Sequence, residues 1–121
     1  MNCPVCKTAL AAAGRTYRCQ KCDGAWVAAD VVVPMMEQSA STLVELPWRA
    51  NTEDHVRACP ACGKDMETVA LGTVALDRCE LHGVWFDARE LAEVLHQAKK
   101  FRAEPHPHES LVGRLVKLVK G

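Results

Sequence analysis

The sequence of 121 residues lacks three features that would point to DNA, to a membrane or to export. Its fifteen Lys and Arg are balanced by fifteen Asp and Glu, so it has no basic excess of the kind that a duplex-DNA binder presents. No apolar run approaches the roughly 20 residues of a membrane span. Residues 1–13 lack the charged start and the apolar stretch of a secretory signal. We therefore expect a cytoplasmic protein.

Cysteine, by contrast, is abundant, and all seven cysteines fall in regularly spaced motifs. A C-x-x-C pair places two sulfur atoms on one tight turn, and two such turns facing each other can enclose a tetrahedral Zn²⁺. The odd number of cysteines, together with a histidine in the eighth position, favours reduced thiols over disulfides. The predicted ligands form two quartets: Cys3, Cys6, Cys19 and Cys22 in the first, and Cys59, Cys62, Cys79 and His82 in the second.

The expected metal content is two zinc ions per chain, both structural. Catalytic zinc keeps an open position for water, whereas each quartet supplies four protein ligands. The sequence therefore predicts no catalytic residues, no small-molecule substrate and no enzyme activity. Iron is an alternative in the all-sulfur first quartet, and the histidine in the second favours zinc. Seven thiolates and two divalent ions change the formal charge from 0 to about −3.

The two quartets belong to an internal repeat. The sequence Cys3-Pro4-Val5-Cys6 corresponds to Cys59-Pro60-Ala61-Cys62, and Gly24-Ala25-Trp26-Val27 corresponds to Gly83-Val84-Trp85-Phe86. Repeated use of one unit is the simplest explanation. The predicted divisions are a first metal-binding unit with its helix at 1–40, a connector at 41–57, a second unit with its helix at 58–103, and a Pro/His turn with a basic amphipathic helix at 104–121.

The second copy carries the clearer secondary-structure pattern. Apolar residues alternate over 66–71 and 73–78, which predicts a hairpin, and residues 84–86 predict a third strand. Asp87 and Glu90 form a capping-box-like pair before an apolar helical stripe. We expect this helix to extend to about residue 101 and to lie over the hairpin.

The first copy predicts a smaller version of the same unit. Residues 8–12 and 16–18 form a weak hairpin pattern because alanine is a poor strand former. A helix over 31–38 is expected after Asp30 as its N-cap, and it tolerates Pro34 only in its first turn.

Three apolar features remain outside this scheme. Trp26 and Trp85 follow the last ligands, and we expect them to cover the zinc sites and to pack beneath the following helices rather than to stack on bases. The connector is too apolar for an open linker, so it should pack against a module or a neighbouring chain, with Trp48 as an interface candidate. The segment 110–120 is amphipathic and basic, and it is too short to be stable alone in water.

The motifs of the second copy resemble the bacterial zinc ribbons of the transcription-factor-IIB type. The resemblance rests on the C-P-x-C motif, on Asp77-Arg78-Cys79 and on the run from His82 to Leu91, and it extends in the first copy to the ligands and Gly24-Ala25-Trp26. It implies a small α+β fold of two tandem zinc ribbons, each a short antiparallel β-hairpin or three-stranded sheet followed by a helix, plus the C-terminal amphipathic helix. It also implies zinc ligands at the eight positions, with His82 departing from an all-cysteine pattern.

The sequence is most consistent with a non-enzymatic adaptor that recruits a protein partner or another copy of itself. The alternative is a nucleic-acid-binding protein in transcription, which would use Arg15, Arg18, Lys21 and the cations of the tail. A third interpretation, a redox or zinc-level sensor, requires thiolates that lose metal reversibly, whereas four-ligand sites usually protect their sulfur atoms.

Overall fold

A computed structural model describes residues 1–52 and 55–103 of the protein. The predicted helix within 104–121 lies outside the described residues. Within that described part, the chain forms seven strands, two α-helices and one short 3-10 helix. In chain order these are β1 (Ala11–Ala13), β2 (Thr16–Arg18), β3 (Ala25–Ala28), α1 (Ala29–Ala40), β4 (Arg49–Ala50), β5 (Glu67–Leu71), β6 (Val74–Cys79), β7 (Gly83–Phe86), α2 (Glu90–His96) and the 3-10 helix (Ala98–Phe101).

All seven strands belong to one antiparallel sheet with the order β1-β2-β3-β7-β6-β5-β4. The expected three-stranded units are present as β1-β2-β3 and β5-β6-β7, but they are not separate sheets. Strands β3 and β7 pair in register, with Trp26 opposite Trp85. The sequence did not predict this pairing. It satisfies the backbone N–H and C=O groups that each third strand would otherwise expose along its outer edge.

The two faces of this sheet carry different cores. On one face, Ala25, Val27, Val84 and Phe86 pack with the helices in a large apolar cluster. On the other face, Trp26 and Trp85 pack with the cysteines. Successive side chains of a strand point to opposite faces, which explains the separation. The tryptophans are buried against the cysteines, as expected. The prediction that they lie beneath the helices is wrong, since the helices cover the opposite face.

Helix α1 is longer than predicted and begins before its expected cap. Ala28 precedes it and has no capping side chain, while Asp30 lies in the first turn. The backbone N–H of Ala29 donates to the carbonyl of His82 at 2.9 Å, so one N–H of the helix start is satisfied by the second copy. Because the helix starts early, Pro34 lies inside it rather than in its first turn.

Helix α2 is shorter than predicted, since it ends at His96 and the chain continues as the 3-10 helix. The side chain of Gln97 at this junction bonds the β5–β6 turn. Its Oε1 accepts from the backbone N–H of Thr73 at 3.1 Å, and its Nε2 donates to Thr73 Oγ1 at 2.7 Å. The prediction that Asp87 caps this helix is wrong, because Arg89 precedes α2 and no side chain caps it. Glu90 Oε1 nevertheless accepts from the backbone N–H of Asp87 at 2.9 Å, as in the second half of a capping box.

The connector packs against its own chain, which is one of the two outcomes expected from its apolar composition. Strand β4 adds to the edge of β5, and Val44 is buried. Trp48 is half-buried, with the Arg78 guanidinium 4.8 Å from its ring centroid. Within residues 1–52 and 55–103, no helix has the length and apolar character that crossing a bilayer requires.

Candidate functional site: two metal centres

Three of the four ligand turns share one backbone geometry. In each, the first cysteine accepts a hydrogen bond at its carbonyl from the residue four positions later, and its N–H donates to the carbonyl five positions later. The residue after the second cysteine has a positive φ. In the first set, a backbone N–H donates to the carbonyl of the first cysteine: Lys7 to Cys3 (2.9 Å), Asp23 to Cys19 (2.8 Å) and Gly63 to Cys59 (2.8 Å). In the second set, the N–H of that cysteine donates to a later carbonyl: Cys3 to Thr8 (2.7 Å), Cys19 to Gly24 (3.0 Å) and Cys59 to Lys64 (2.7 Å). Such a turn holds both sulfur atoms on the same side.

These turns also explain why β1 begins later than predicted. Residues 3–8 are used to close the first ligand turn, and the first hairpin pairing therefore starts at Ala11.

The fourth ligand turn differs because it carries the histidine. The N–H of His82 donates to the carbonyl of Cys79 at 3.0 Å, and Gly83 then enters β7 directly, opposite Cys79 in β6 and Ala28 in β3. Cys79 is the last residue of β6, and His82 immediately precedes β7. The two strands on either side of this turn therefore fix the positions of both ligands.

The first quartet is brought together with distances that suit zinc. Its four sulfur atoms lie within 4.8 Å of one another, and Cys3 Sγ is 3.7 Å from Cys22 Sγ. A tetrahedral site with Zn–S bonds of about 2.3 Å has sulfur atoms about 3.8 Å apart. Cys3 and Cys19 are fully buried, and backbone N–H groups point at both: those of Val5 and Cys6 at Cys3 (3.3 and 3.2 Å), and those of Lys21 and Cys22 at Cys19 (both 3.4 Å).

The second quartet is also assembled, although it is more open to solvent. Its ligand atoms again lie within 4.8 Å of one another; Cys59 is buried and Cys62 is exposed. Cys62 Sγ is 4.0 Å from Cys79 Sγ, and Cys79 Sγ is 3.4 Å from His82 Nδ1. A tetrahedral zinc site has an S–N edge of about 3.6 Å. The nitrogen nearest the cysteines is thus Nδ1.

The thiols show why such a cluster suits a divalent cation. Hydrogen bonding from the backbone N–H of Cys22 lowers the pKa of the Cys19 thiol to about 6. Burial raises the pKa of Cys22 to about 12 and that of Cys59 to about 11. Without a cation, the thiols of Cys22 and Cys59 therefore keep their protons at neutral pH. A bound Zn²⁺ supplies the positive charge that stabilises the cysteines as thiolates, so its binding releases protons.

A buried charged network in the second copy holds the tryptophan beside the site. Asp77 is 2% exposed and receives His55 Nε2 at 2.8 Å and Arg57 Nη1 at 3.1 Å. The same Arg57 nitrogen reaches Asp87 at 2.9 Å, and Asp87 accepts a hydrogen bond from Trp85 Nε1 at 3.1 Å. Sequence reasoning missed this network. The signal available was Asp77 itself, a carboxylate that directly follows the apolar residues 74–76 of its strand.

The fold and the two four-ligand sites define a protein with two zinc centres. Residues 58–97 match the family model described as a transcription factor zinc-finger, the zinc ribbon of the TFIIB type. This match confirms the resemblance for the second copy and contains four of the predicted ligands. The cysteine cluster within residues 3–22 supports the tandem copy. No curated protein and no solved structure matches the chain.

Proposed function

We propose that the protein is a non-enzymatic interaction protein, in which two zinc ions hold a sheet that presents an apolar groove to a protein segment. The absence of catalysis is supported by the chemistry of the ligands. Each site gathers four protein donors, which fill a tetrahedral zinc and leave no position for a substrate or an activated water.

The observation that carries the proposal is a groove of about 200 Å³ between α1 and the connector. Val33, Leu46 and Trp48 contribute its apolar wall, and Arg78 and Glu80 contribute polar groups. Val33 is 37% exposed, and Leu43 in the adjacent connector is 70% exposed. Aromatic and arginine side chains around an accessible apolar surface are typical of protein-binding sites.

The partner that we favour is the basic amphipathic segment 110–120 of a second copy of this chain. The apolar residues of this segment suit the wall of the groove. Its three cations are opposite in charge to the second zinc-binding unit, where residues 51–104 hold ten Asp and Glu against seven Lys and Arg. These cations are Arg114, Lys117 and Lys120. The four-residue spacing of Leu111 and Leu115 suits the helix-in-groove mode of recognition.

Light scattering of the zinc-loaded protein tests this proposal. We expect the full chain to self-associate and a chain ending at Glu104 to be a monomer. Val33→Asp should also produce a monomer, because a charge would enter the groove. Val56→Asp is the control, since Val56 is 73% exposed and lies outside the groove. A monomer for both chain lengths, together with no captured partner, would count against the proposal.

Nucleic-acid binding is the second candidate, and the description of the matching family favours it. Its predicted contacts are already engaged in part: Arg18 lies 3.7 Å from Asp23, and Arg15 donates to Gln38 at 2.6 Å. Binding through phosphates should weaken steeply between about 50 and 200 mM salt. If the protein binds neither single- nor double-stranded oligonucleotides at the lower concentration, this candidate is removed.

A further inference from the structure

The two copies meet at a local two-fold axis that passes between Trp26 and Trp85. These residues are directly opposite each other, while Ala25 pairs with Phe86 and Val27 pairs with Val84. In the repeat, Ala25 corresponds to Val84 and Val27 corresponds to Phe86. The pairing is therefore the same from either side, as in a symmetric dimer interface. Neither copy completes the central sheet without the other.

Each tryptophan ring occupies space left by a glycine of the other copy. A Cβ atom added to Gly24 would lie 2.2 Å from Trp85 Cζ2, far below van der Waals contact. One added to Gly83 would lie 2.3 Å from the carbonyl oxygen of Val27 and 3.0 Å from Trp26 Cζ2, so the backbone and the ring of the first copy both approach this glycine. The ring of each tryptophan thus extends across the two-fold axis into the other copy, where a glycine leaves room for it.

The crossed rings also pack against the ligands of both sites. Trp26, Trp85 and Met66 form one buried cluster with Cys3, Cys19 and Cys59. The first two cysteines belong to the first zinc site and the third belongs to the second. A single apolar cluster on the sheet face opposite the helices therefore serves both metal centres.

We propose that the two zinc sites bind metal cooperatively, so that zinc at either site raises the affinity of the other through the crossed Trp26–Trp85 pair. When one site loses its metal, its two ligand turns are no longer held together, and the ring packed against them loses its neighbours. The ring inserted from the other copy loses the same support. Couplings between two sites commonly change affinity about 5–150-fold, and the effect is reciprocal.

The first test removes one site in the full-length chain. Cys6→Ser with Cys22→Ser disables the first site, and Zn²⁺ affinity at the second is then measured by competition with a chromophoric chelator. Co²⁺ spectra identify which site is loaded, since a Cys₄ and a Cys₃His set absorb differently. We expect the affinity of the second site to fall about 5–150-fold. Cys62→Ser should lower the affinity of the first site by a similar factor. Unchanged affinities would overturn the proposal.

The second test keeps all eight ligands and changes the packing of the crossed rings; because Gly24 also closes the Cys19 turn, the affinity that is read out is that of the second site. Gly24→Ala, in the first copy, should displace the Trp85 ring and lower the affinity of the second site. Gly14→Ala, in the β1–β2 turn of the same copy, is the control: a Cβ at Gly14 meets no atom within 4 Å, although its φ of +64° makes the substitution strained. Trp85→Phe vacates the space over Gly24 and should lower the affinity of the first site.

Nuclear magnetic resonance tests whether the coupling between the two metal sites passes through the tryptophan rings. The indole N–H of Trp85, which donates to Asp87, should shift when metal leaves the first site while the second stays loaded. If disabling the first site weakens the second but Gly24→Ala and Trp85→Phe do not change either affinity, the coupling does not pass through the rings, and the proposal is wrong.

Discussion

At the scale of single residues, Asp77 is the side chain whose role is clearest outside the metal sites. It is buried, and it shares the Arg57 guanidinium with Asp87. A charge in such a position is tolerated because its partners neutralise it, and removing the Asp77 carboxylate leaves the largely buried Arg57 guanidinium incompletely paired. The network thereby ties β6 and β7 to the residues that precede the third ligand turn.

Replacing Asp77 with asparagine should lower the free energy of unfolding of the zinc-loaded protein by about 2–4 kcal/mol. Denaturant unfolding measures this change. Asp23→Asn is the matched control, because the Arg18–Asp23 pair is long at 3.7 Å and its carboxylate is 74% exposed; its removal should cost less than about 1 kcal/mol. Equal effects for the two substitutions would contradict the assigned role of Asp77.

Glu90 should make stability depend on pH. Burial raises the pKa of its carboxyl from 4.5 to about 7. Because the folded state then binds a proton more tightly than the unfolded state, this group's contribution declines as pH rises from about 4.5 to about 7. A glutamine at this position would keep an acceptor for the Asp87 N–H without the charge. We therefore expect Glu90→Gln to be more stable than the parent protein near pH 7.5.

The measurement compares the two proteins by denaturant unfolding at several pH values, both zinc-loaded. The advantage of Glu90→Gln should shrink toward pH 5.5, where the parent carboxyl is mostly protonated in the folded state. Glu93→Gln, at an exposed position of the same helix, controls for the loss of a surface charge. A stability difference that is constant across this range would show that burial of Glu90 has no such effect.

At the scale of secondary-structure elements, a proline inside α1 lowers the stability of that helix. Pro34 lies inside the helix and is exposed, so it removes the hydrogen bond that its nitrogen would otherwise give to the carbonyl of Asp30. Pro34→Ala should raise the free energy of unfolding by about 1–2 kcal/mol, less than the full helix penalty because proline also restricts the unfolded chain. A lower stability for Pro34→Ala would mean that the ring makes contacts that compensate.

The elements also show which parts of the fold could be predicted from sequence. The hairpins and the eight ligands depend on local spacing, and the structure brings each quartet together as expected. The start of α1 depends on a hydrogen bond to His82 from the other copy, and the end of α2 depends on the contact between Gln97 and Thr73. The pairing of β3 with β7 is a long-range contact between strands that have no partner preference in their local sequence. Such features require the tertiary fold.

At the scale of the whole molecule, the local two-fold axis bears on the predicted division into modules at 1–40 and 58–103, which stays a prediction. A zinc-loaded chain of residues 55–103 would retain β5, β6 and β7. Strand β7 would still pair with β6, but it would lose β3 on its other side. Exposed edge strands readily pair with another chain. The sequence Val84-Trp85-Phe86 can pair with itself in the register that β3 provides, with Trp85 opposite its counterpart.

We therefore expect this shortened chain to form a zinc-loaded dimer through β7, as measured by light scattering at several concentrations. Gly83 would again leave space for the ring of the opposite chain, as it does for Trp26 in the intact protein. Gly83→Ala should weaken the dimer because its Cβ would meet that ring and the opposing backbone, while Gly63→Ala, whose Cβ meets no atom within 4 Å, should weaken it less. A folded, zinc-loaded monomer would show that the second copy is a complete unit and that the central pairing merely joins two independent modules.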